Sequence, residues 1–114
     1  MTDCLFCKMV AGEIKPALVY ENDHVLAFRD IHPQAPTHVL IIPKRHIATL
    51  DDLSLDDLAI GGELLLATSK VAEQEGLAED GYRTVINCRA HGGQEVYHLH
   101  LHLLGGRRMS WPPG

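Results

Sequence analysis

The stretch that decides the fold is His98-Leu99-His100-Leu101-His102-Leu103-Leu104, in which histidine and leucine alternate. A period of two is typical of a β-strand, where successive side chains point to opposite faces of the sheet. The leucines are therefore predicted to pack on the core, and the three imidazoles to share the other face. Because neighbouring imidazolium ions repel each other, we expect lowered pKa values on this face unless an anion is bound there.

The histidine face has three interpretations. It could be an exposed polar face that happens to use histidine, although three histidines at strict spacing disfavour this. Two histidines at alternate strand positions can also bind zinc with a third ligand elsewhere. Finally, one imidazole can attack phosphorus while its neighbours orient it and stabilise negative oxygens. The preceding loop, Gly92-Gly93-Gln94-Glu95, favours phosphate, because glycine lets backbone N–H groups approach an anion closely.

Length and charge exclude several classes of protein. The chain has 114 residues, enough for one domain with a single core. Its net charge of −5 argues against broad electrostatic binding of nucleic acid. No apolar run approaches the length of a membrane span, and the start of the chain has no export signal, so we expect a cytoplasmic protein without membrane contact. Three cysteines, an odd number, argue against a disulfide framework.

The remaining segments predict an α+β fold with an antiparallel sheet. A short helix is expected over residues 4–12, and Asn22 and its neighbours form a hairpin turn. The tail, residues 105–114, contains Trp111-Pro112-Pro113 and is expected to be irregular. About five strands are predicted, at residues 18–20, 25–28, 37–43, 82–88 and 96–104.

The strongest helix signal begins at Ser54, which forms a capping box with Asp57, and ends at a glycine stop, Gly76. Glycine is unfavourable inside a helix, so we expect close packing against the sheet at Gly61-Gly62. The helix has a broad apolar face formed by Leu58, Ile60, Leu64, Leu65, Ala67, Val71 and Ala72.

The 98–104 pattern resembles the signature of the histidine triad (HIT) superfamily, and further segments resemble its Hint branch. These segments are residues 30–38, 42–47, 92–97 and the tail 105–114, so that the resemblance covers residues 4–114. It implies one HIT domain over residues 1–114. It also implies a homodimer in which the long helix and a neighbouring strand join two sheets into one.

The resemblance further implies a nucleoside phosphoramidase. Such an enzyme cleaves the P–N bond of adenosine or guanosine 5′-phosphoramidates, with aminoacyl adenylates as related substrates. In family terms His100 is the nucleophile and forms a nucleotidyl-histidine intermediate. His38 orients it by a hydrogen bond to its other ring nitrogen, and His98 and His102 flank the phosphate. No cofactor is needed for this chemistry.

Nucleotide-binding residues carry over by position. Asp30 is expected to accept the ribose hydroxyls. The base is expected between Phe6, Met9, Ile14 and Ile31, although these residues could equally be ordinary core. The phosphate is expected beside Asn87, Gly93, Gln94 and Val96. Glu95 departs from branch members that have serine there: its carboxylate repels phosphate unless it is turned outward or protonated, and it could instead face the leaving amine.

Cys4-x-x-Cys7 is half of a possible zinc site. The resemblance supplies His46 and His98 as the other two ligands. The alternative is a pair of buried thiols on a short helix that hold no metal. Cys88 is expected to be buried in a strand, and three other histidines are expected to face solvent: His24, His32 and His91.

Three other functions remain open. A nucleotide-binding regulatory module would use the same pocket without depending on turnover. Hydrolysis of dinucleoside polyphosphates is the activity of the related Fhit branch, whose tail differs from Leu104-Gly105-Gly106-Arg107 here. A zinc hydrolase with three histidine ligands would lose its activity in chelator, whereas a histidine nucleophile would not.

Overall fold

The centre of the molecule is a five-stranded antiparallel sheet in the order β1-β2-β3-β5-β4. It is seen in a computed structural model that describes residues 3–114. The strands are β1 (Leu18–Glu21), β2 (Val25–Arg29), β3 (Thr37–Pro43), β4 (Tyr82–Val85) and β5 (Leu101–Gly105). The predicted α+β class with an antiparallel sheet is confirmed. Continuation of the sheet into a second subunit stays a prediction.

Local sequence signals explain how the hairpin between β1 and β2 forms. The Asn22 side-chain oxygen accepts hydrogen bonds from the backbone N–H groups of His24 (2.8 Å) and Val25 (2.9 Å). Asparagine favours such turns because its short amide can replace a backbone acceptor. The turn returns the chain so that β2 pairs with both β1 and β3.

Three helices accompany the sheet: α1 (Leu5–Val10), α2 (Leu58–Gln74) and α3 (Arg89–Gly92). The predicted capping box exists, but Ser54 and Asp57 cap a 3-10 turn, and α2 itself begins at Leu58. Gly76 ends the helix as predicted, in the left-handed conformation with φ of 74°. α3 lies where a loop was expected. No helix within residues 3–114 has the length and apolar character required to cross a bilayer.

The core lies on both faces of the sheet. On one face α2 covers the leucines that precede and enter β5, which are Leu99, Leu101 and Leu103. On the other face α1 contributes Phe6, which packs with Leu26, Phe28, Leu40 and Ile42. β3 is buried on both faces because it lies in the middle of the sheet. His98 and His100 lie under α1, against the Phe6 ring.

The outer face of α2 differs from the prediction. Leu58, Leu65 and Leu66 are 73%, 63% and 69% exposed, so the apolar face is wider than the part that the sheet covers. Close packing at Gly61 and Gly62 is also wrong, because a Cβ at either position would meet no atom within 4 Å. Both glycines lie away from the sheet, on the side of the helix that this chain leaves open.

Two strands are shorter than predicted. β5 begins at Leu101 rather than at residue 96, since the preceding residues pair with a loop: the Leu99 N–H donates to the Ile47 carbonyl at 2.6 Å. β4 ends at Val85, and Cys88 is therefore half-buried outside any strand, not a buried strand residue.

Candidate active site

The alternation of histidine and leucine persists from residue 98 to 104, although only part of this stretch is a strand. The three leucines are almost completely buried beneath α2. The imidazoles lie on the opposite face, where the Phe6 ring is 5.8 Å from that of His98 and 5.3 Å from that of His100. The shared histidine face is thus confirmed. The interpretation as an exposed polar face is wrong, because His98 and His100 are 0% and 8% exposed.

A hydrogen bond to the backbone sets the tautomer of His100. Its Nδ1 lies 2.7 Å from the carbonyl oxygen of His98. Since a carbonyl can only accept, Nδ1 carries the hydrogen and donates it, which leaves the lone pair on Nε2. This corrects the expected role of His38: the group that orients His100 is the backbone of His98, two residues earlier.

His38 instead orients His102. The backbone N–H of Gln34 donates to Nδ1 of His38 at 3.0 Å, so that the hydrogen of the neutral ring is on Nε2. Nε2 lies 2.9 Å from Nδ1 of His102 and donates to it. The free donor of His102 is therefore its Nε2–H. The four-residue spacing of Gln34 and His38 is a signal that sequence reasoning missed.

Asp30 lies beside this pair of histidines. One carboxylate oxygen accepts from the His32 N–H at 2.8 Å, and the other lies 3.4 Å from Nε2 of His38. The carboxylate is half-buried, and it lines the cavity described below. It therefore retains the capacity to accept further donors, as a carboxylate oxygen has two lone pairs.

Burial keeps three of the histidines neutral at physiological pH. Loss of hydration, together with the neighbouring His100 and His38, lowers the pKa of His102 to about 4. Burial also lowers the pKa of His98, and that of His38 despite the opposing charge of Asp30. The lowered pKa values expected on the histidine face are confirmed for His98 and His102. Neutral imidazole is the form that can act as a nucleophile.

The histidines open onto a cavity of about 770 Å³, a size that is typical of small-molecule sites. It brings together most of the residues predicted to bind a nucleotide. These are Phe6, Met9, Ile14, Asp30, Ile31, Asn87, Gly93, Glu95 and Val96, which line the cavity with His38, His100 and His102. Sequence reasoning missed several others: Leu5, Lys15, Pro16, Ala17, Phe28, Arg29, His32, Gln34 and Leu40.

Phe6 belongs both to the core and to the cavity wall. It is 3% exposed and its ring lies edge-on to that of Phe28, with centroids 5.3 Å apart. Ile31 lies at the other extreme, with 86% of its surface exposed. Two of the four residues that were expected to contact the base thus differ: Phe6 is a buried part of the wall, and Ile31 is an exposed apolar side chain.

Two predicted site residues face elsewhere. The Gln94 amide donates to the carbonyls of Ala48 (2.8 Å) and Val96 (3.1 Å), and its oxygen accepts from the Arg89 N–H (2.9 Å). The side chain therefore fixes the loop and does not line the cavity. His98 is also absent from the cavity wall, so its predicted place beside the phosphate is wrong.

The His98 ring instead belongs to a cluster with Cys4, Cys7 and His46, whose ligand atoms all lie within 4.8 Å of one another. Nδ1 of His46 lies 3.2 Å from Nδ1 of His98 and 3.2 Å from Sγ of Cys7, and Sγ of Cys4 lies 3.4 Å from Nδ1 of His98. A tetrahedral zinc ion with ordinary Zn–N and Zn–S bonds requires edges of roughly 3.3 to 3.8 Å. The four side chains fit such an ion.

A second contact supports this donor set. Nε2 of His98 donates to the Pro43 carbonyl at 2.8 Å, so that the lone pair of the neutral ring is on Nδ1, the atom that faces the cysteines. Histidines that bind a metal usually donate their other N–H in this way.

Comparisons with known proteins agree with this geometry. A family model described as the HIT domain matches residues 11–109. The chain is 53% identical over 108 residues to the purine nucleoside phosphoramidase of Escherichia coli K12, which covers 95% of this chain and 91% of the relative. A crystal structure of a HIT family hydrolase from Legionella pneumophila is 59% identical and has a TM-score of 0.96, covering 98% of this chain and 100% of that one. A histidine triad protein from Clostridium difficile, 42% identical, has a TM-score of 0.93 over 96% of each chain. The chain therefore belongs to the HIT family.

Proposed function

We propose that the protein is a purine nucleoside phosphoramidase, which hydrolyses the P–N bond of adenosine or guanosine 5′-phosphoramidates. One observation carries this proposal: Nδ1 of His100 donates to a backbone carbonyl, which leaves Nε2 as the ring nitrogen that can attack, in a cavity large enough for a nucleotide. Its 53% identity to a purine nucleoside phosphoramidase supports the choice of substrate. Aminoacyl adenylates are related substrates of the same centre.

The reaction has two steps. Nε2 of His100 attacks the α-phosphorus, a P–N bond to the imidazole forms, and the P–N bond to the amine breaks as the amine takes up a proton. Water then attacks the nucleotidyl-histidine and gives up a proton, which restores His100 and releases the nucleotide. Throughout, the His102 Nε2–H donates to a phosphate oxygen, and His38 keeps that ring in the required tautomer.

The cavity wall accounts for nucleotide binding. The Asp30 carboxylate accepts the ribose hydroxyls, since charged acceptors form strong hydrogen bonds. Phe6, Met9, Ile14 and Ile31 enclose the base. Asn87, Gly93 and Val96 lie beside the phosphate, and Gln94 acts on it through the loop that its side chain fixes.

Incubation with an adenosine 5′-phosphoramidate tests the proposal. We expect AMP release by the wild-type protein in chelator, and a loss of kcat on the order of 10³-fold or more in His100→Ala. Intact-mass spectrometry of quenched wild-type reactions should show an adenylylated chain that His100→Ala lacks. His24→Ala, which removes an exposed histidine outside the cavity, is the matched control and should retain activity.

The other outcomes favour other functions. Tight AMP binding without turnover would indicate a regulatory nucleotide-binding module. Activity lost in chelator while the chain stays folded would indicate a zinc hydrolase. Faster cleavage of a dinucleoside polyphosphate than of the phosphoramidate would indicate a dinucleoside polyphosphate hydrolase.

We further infer that the cluster of Cys4, Cys7, His46 and His98 holds a structural zinc ion. Two thiolates and two imidazoles are a common zinc donor set, and all four positions are supplied by protein, as in structural sites. The bound ion would connect α1 to the segment that carries His100, and it takes no part in the reaction.

A homodimer is the third part of the proposal. The outer face of α2 exposes Leu58, Leu65 and Leu66, and Gly61 and Gly62 would let a second backbone approach closely. Among residues 3–114, β4 is an edge strand whose one neighbour in the sheet is β5. A second copy that packs on α2 and pairs with β4 would cover both features. Absence of nucleic-acid and membrane partners, and the cytoplasmic location, stay predictions from the sequence.

A further inference from the structure

Glu95 is the charged residue of the cavity that the proposed chemistry does not use. It follows Gly93 and Gln94 on the loop that leads into the histidine segment, and it lines the cavity. The Gln94 side chain turns inward and holds the loop, whereas Glu95 is exposed. The next residue, Val96, packs on the cluster that contains Phe6, whose ring lies 5.3 Å from that of His100. Because Glu95 lies between Gly93 and Val96, which the proposed function assigns to the phosphate, we place it at the end of the cavity where the bond is cleaved.

The other charged residues of the cavity wall either have partners within the protein or lie in the part of the wall assigned to the base. Arg29 donates twice to Glu75, at 2.8 and 3.0 Å. Asp30 is engaged by His32 and His38. Lys15 lies beside Ile14, in the part of the wall assigned to the base. Within residues 3–114, Glu95 has neither an ion pair nor a hydrogen bond, so its charge faces the cavity uncompensated.

We propose that Glu95 selects the leaving group: it favours amines that carry a positive charge and disfavours anionic ones. This inference rests on the proposed phosphoramidase activity. Among the charged residues of the cavity wall, Glu95 is the one whose chain neighbours are assigned to the phosphate, so its carboxylate acts most strongly on a group that departs from the phosphorus. The same field disfavours a leaving group that is itself a phosphate chain, as in a dinucleoside polyphosphate.

Three adenosine 5′-phosphoramidates of similar size test the inference. Their leaving groups are 1,3-diaminopropane, butylamine and β-alanine, whose free ends are cationic, neutral and anionic. Coulomb's law for unit charges at about 7 Å in water predicts a kcat/KM about threefold higher for the cationic than for the neutral substrate, and about sevenfold higher than for the anionic one. In Glu95→Gln the ratio of cationic to anionic should fall toward one, and in Glu95→Lys the order should invert.

Glu79→Gln is the matched control, because it removes an exposed carboxylate outside the cavity and should keep the wild-type ratio. A ratio that is the same in wild type and Glu95→Gln would overturn the selection by Glu95 while leaving the phosphoramidase intact. If the wild type releases AMP from none of the three substrates, the proposed function is overturned, and this inference with it.

Discussion

Burial decides the chemistry of the histidines one residue at a time. His102 has a pKa of about 4, far below the ordinary 6.5, because loss of hydration disfavours its charged form and two imidazoles lie close to it. A protonated His102 would have no lone pair for the hydrogen bond that His38 donates. The neutral state is therefore built into the native fold, and it has a consequence for stability.

Stability should decrease in mild acid. The unfolded chain protonates His102 near pH 6.5 and the folded chain only near 4, so the unfolded state binds more protons between these values. The free energy of unfolding therefore decreases as the pH is lowered through this range. Between pH 7.5 and 5 the linkage amounts to roughly 2 kcal/mol. The free energy of unfolding can be measured by urea denaturation at both pH values. Its decrease from pH 7.5 to 5 should be smaller in His102→Gln than in wild type by that amount.

His24→Gln is the control for this titration, since His24 is exposed in the hairpin turn. It should follow the wild-type dependence on pH. Equal pH slopes for wild type and His102→Gln would contradict the lowered pKa of this side chain.

At the scale of elements, the segment between α3 and β5 is positioned by contacts from outside the sheet. Gln94 ties it to the residue 48 carbonyl, the Leu99 N–H donates to the residue 47 carbonyl, and His98 donates to that of Pro43. The His98 ring also lies beside Cys4 and Cys7, at the start of α1. The backbone that orients His100 thus belongs to a residue held from several directions.

Removal of one cysteine should test the metal at this junction. We expect about one zinc ion per wild-type chain by inductively coupled plasma mass spectrometry and near none in Cys7→Ser, because a neutral hydroxyl is a poor zinc ligand. The variant should also melt several degrees lower, as metal binding contributes to folding stability.

Cys88→Ser makes the same substitution at a cysteine outside the cluster. It should keep both the zinc content and the melting temperature. Wild-type protein that carries no zinc after expression in zinc-supplemented medium would exclude the site as a zinc centre.

At the scale of the whole molecule, α2 has an apolar outer face that no part of the described chain covers. Leu65 and Leu66 remain well over half exposed beside two glycines, on a helix whose opposite side is fully packed. A stripe of this kind is typical of a surface that another copy covers.

A charge on this stripe should separate the subunits. Leu65→Glu would place a carboxylate in an apolar interface, and we expect the dimer dissociation constant to rise by about 100-fold or more. Light scattering after size-exclusion chromatography would show a dimer for wild type and a monomer for the variant. Ala78→Glu, which adds the same charge beyond the end of α2, should remain dimeric; a wild-type monomer at high concentration would contradict the interface.

Periodicity and turn chemistry determined much of the molecule from sequence alone. The alternation at 98–104, the Ser54 capping box and the Gly76 stop are all present, because each depends on neighbours within a few residues. Predictions from local sequence were wrong where contacts with distant segments set the structure. β5 starts late because the residues before it bond to a loop, and the glycines of α2 face away from the sheet.

The sequence by itself therefore determined the α+β class, the shared face of the three imidazoles and most of the cavity wall. Only the tertiary structure decided which histidine does what: His100 is oriented by its own segment, His38 orients His102, and His98 turns to the cysteines. The physical reason is that a side chain's face follows from local backbone geometry. Its hydrogen-bond partner depends on which distant segments the fold brings within 3 Å.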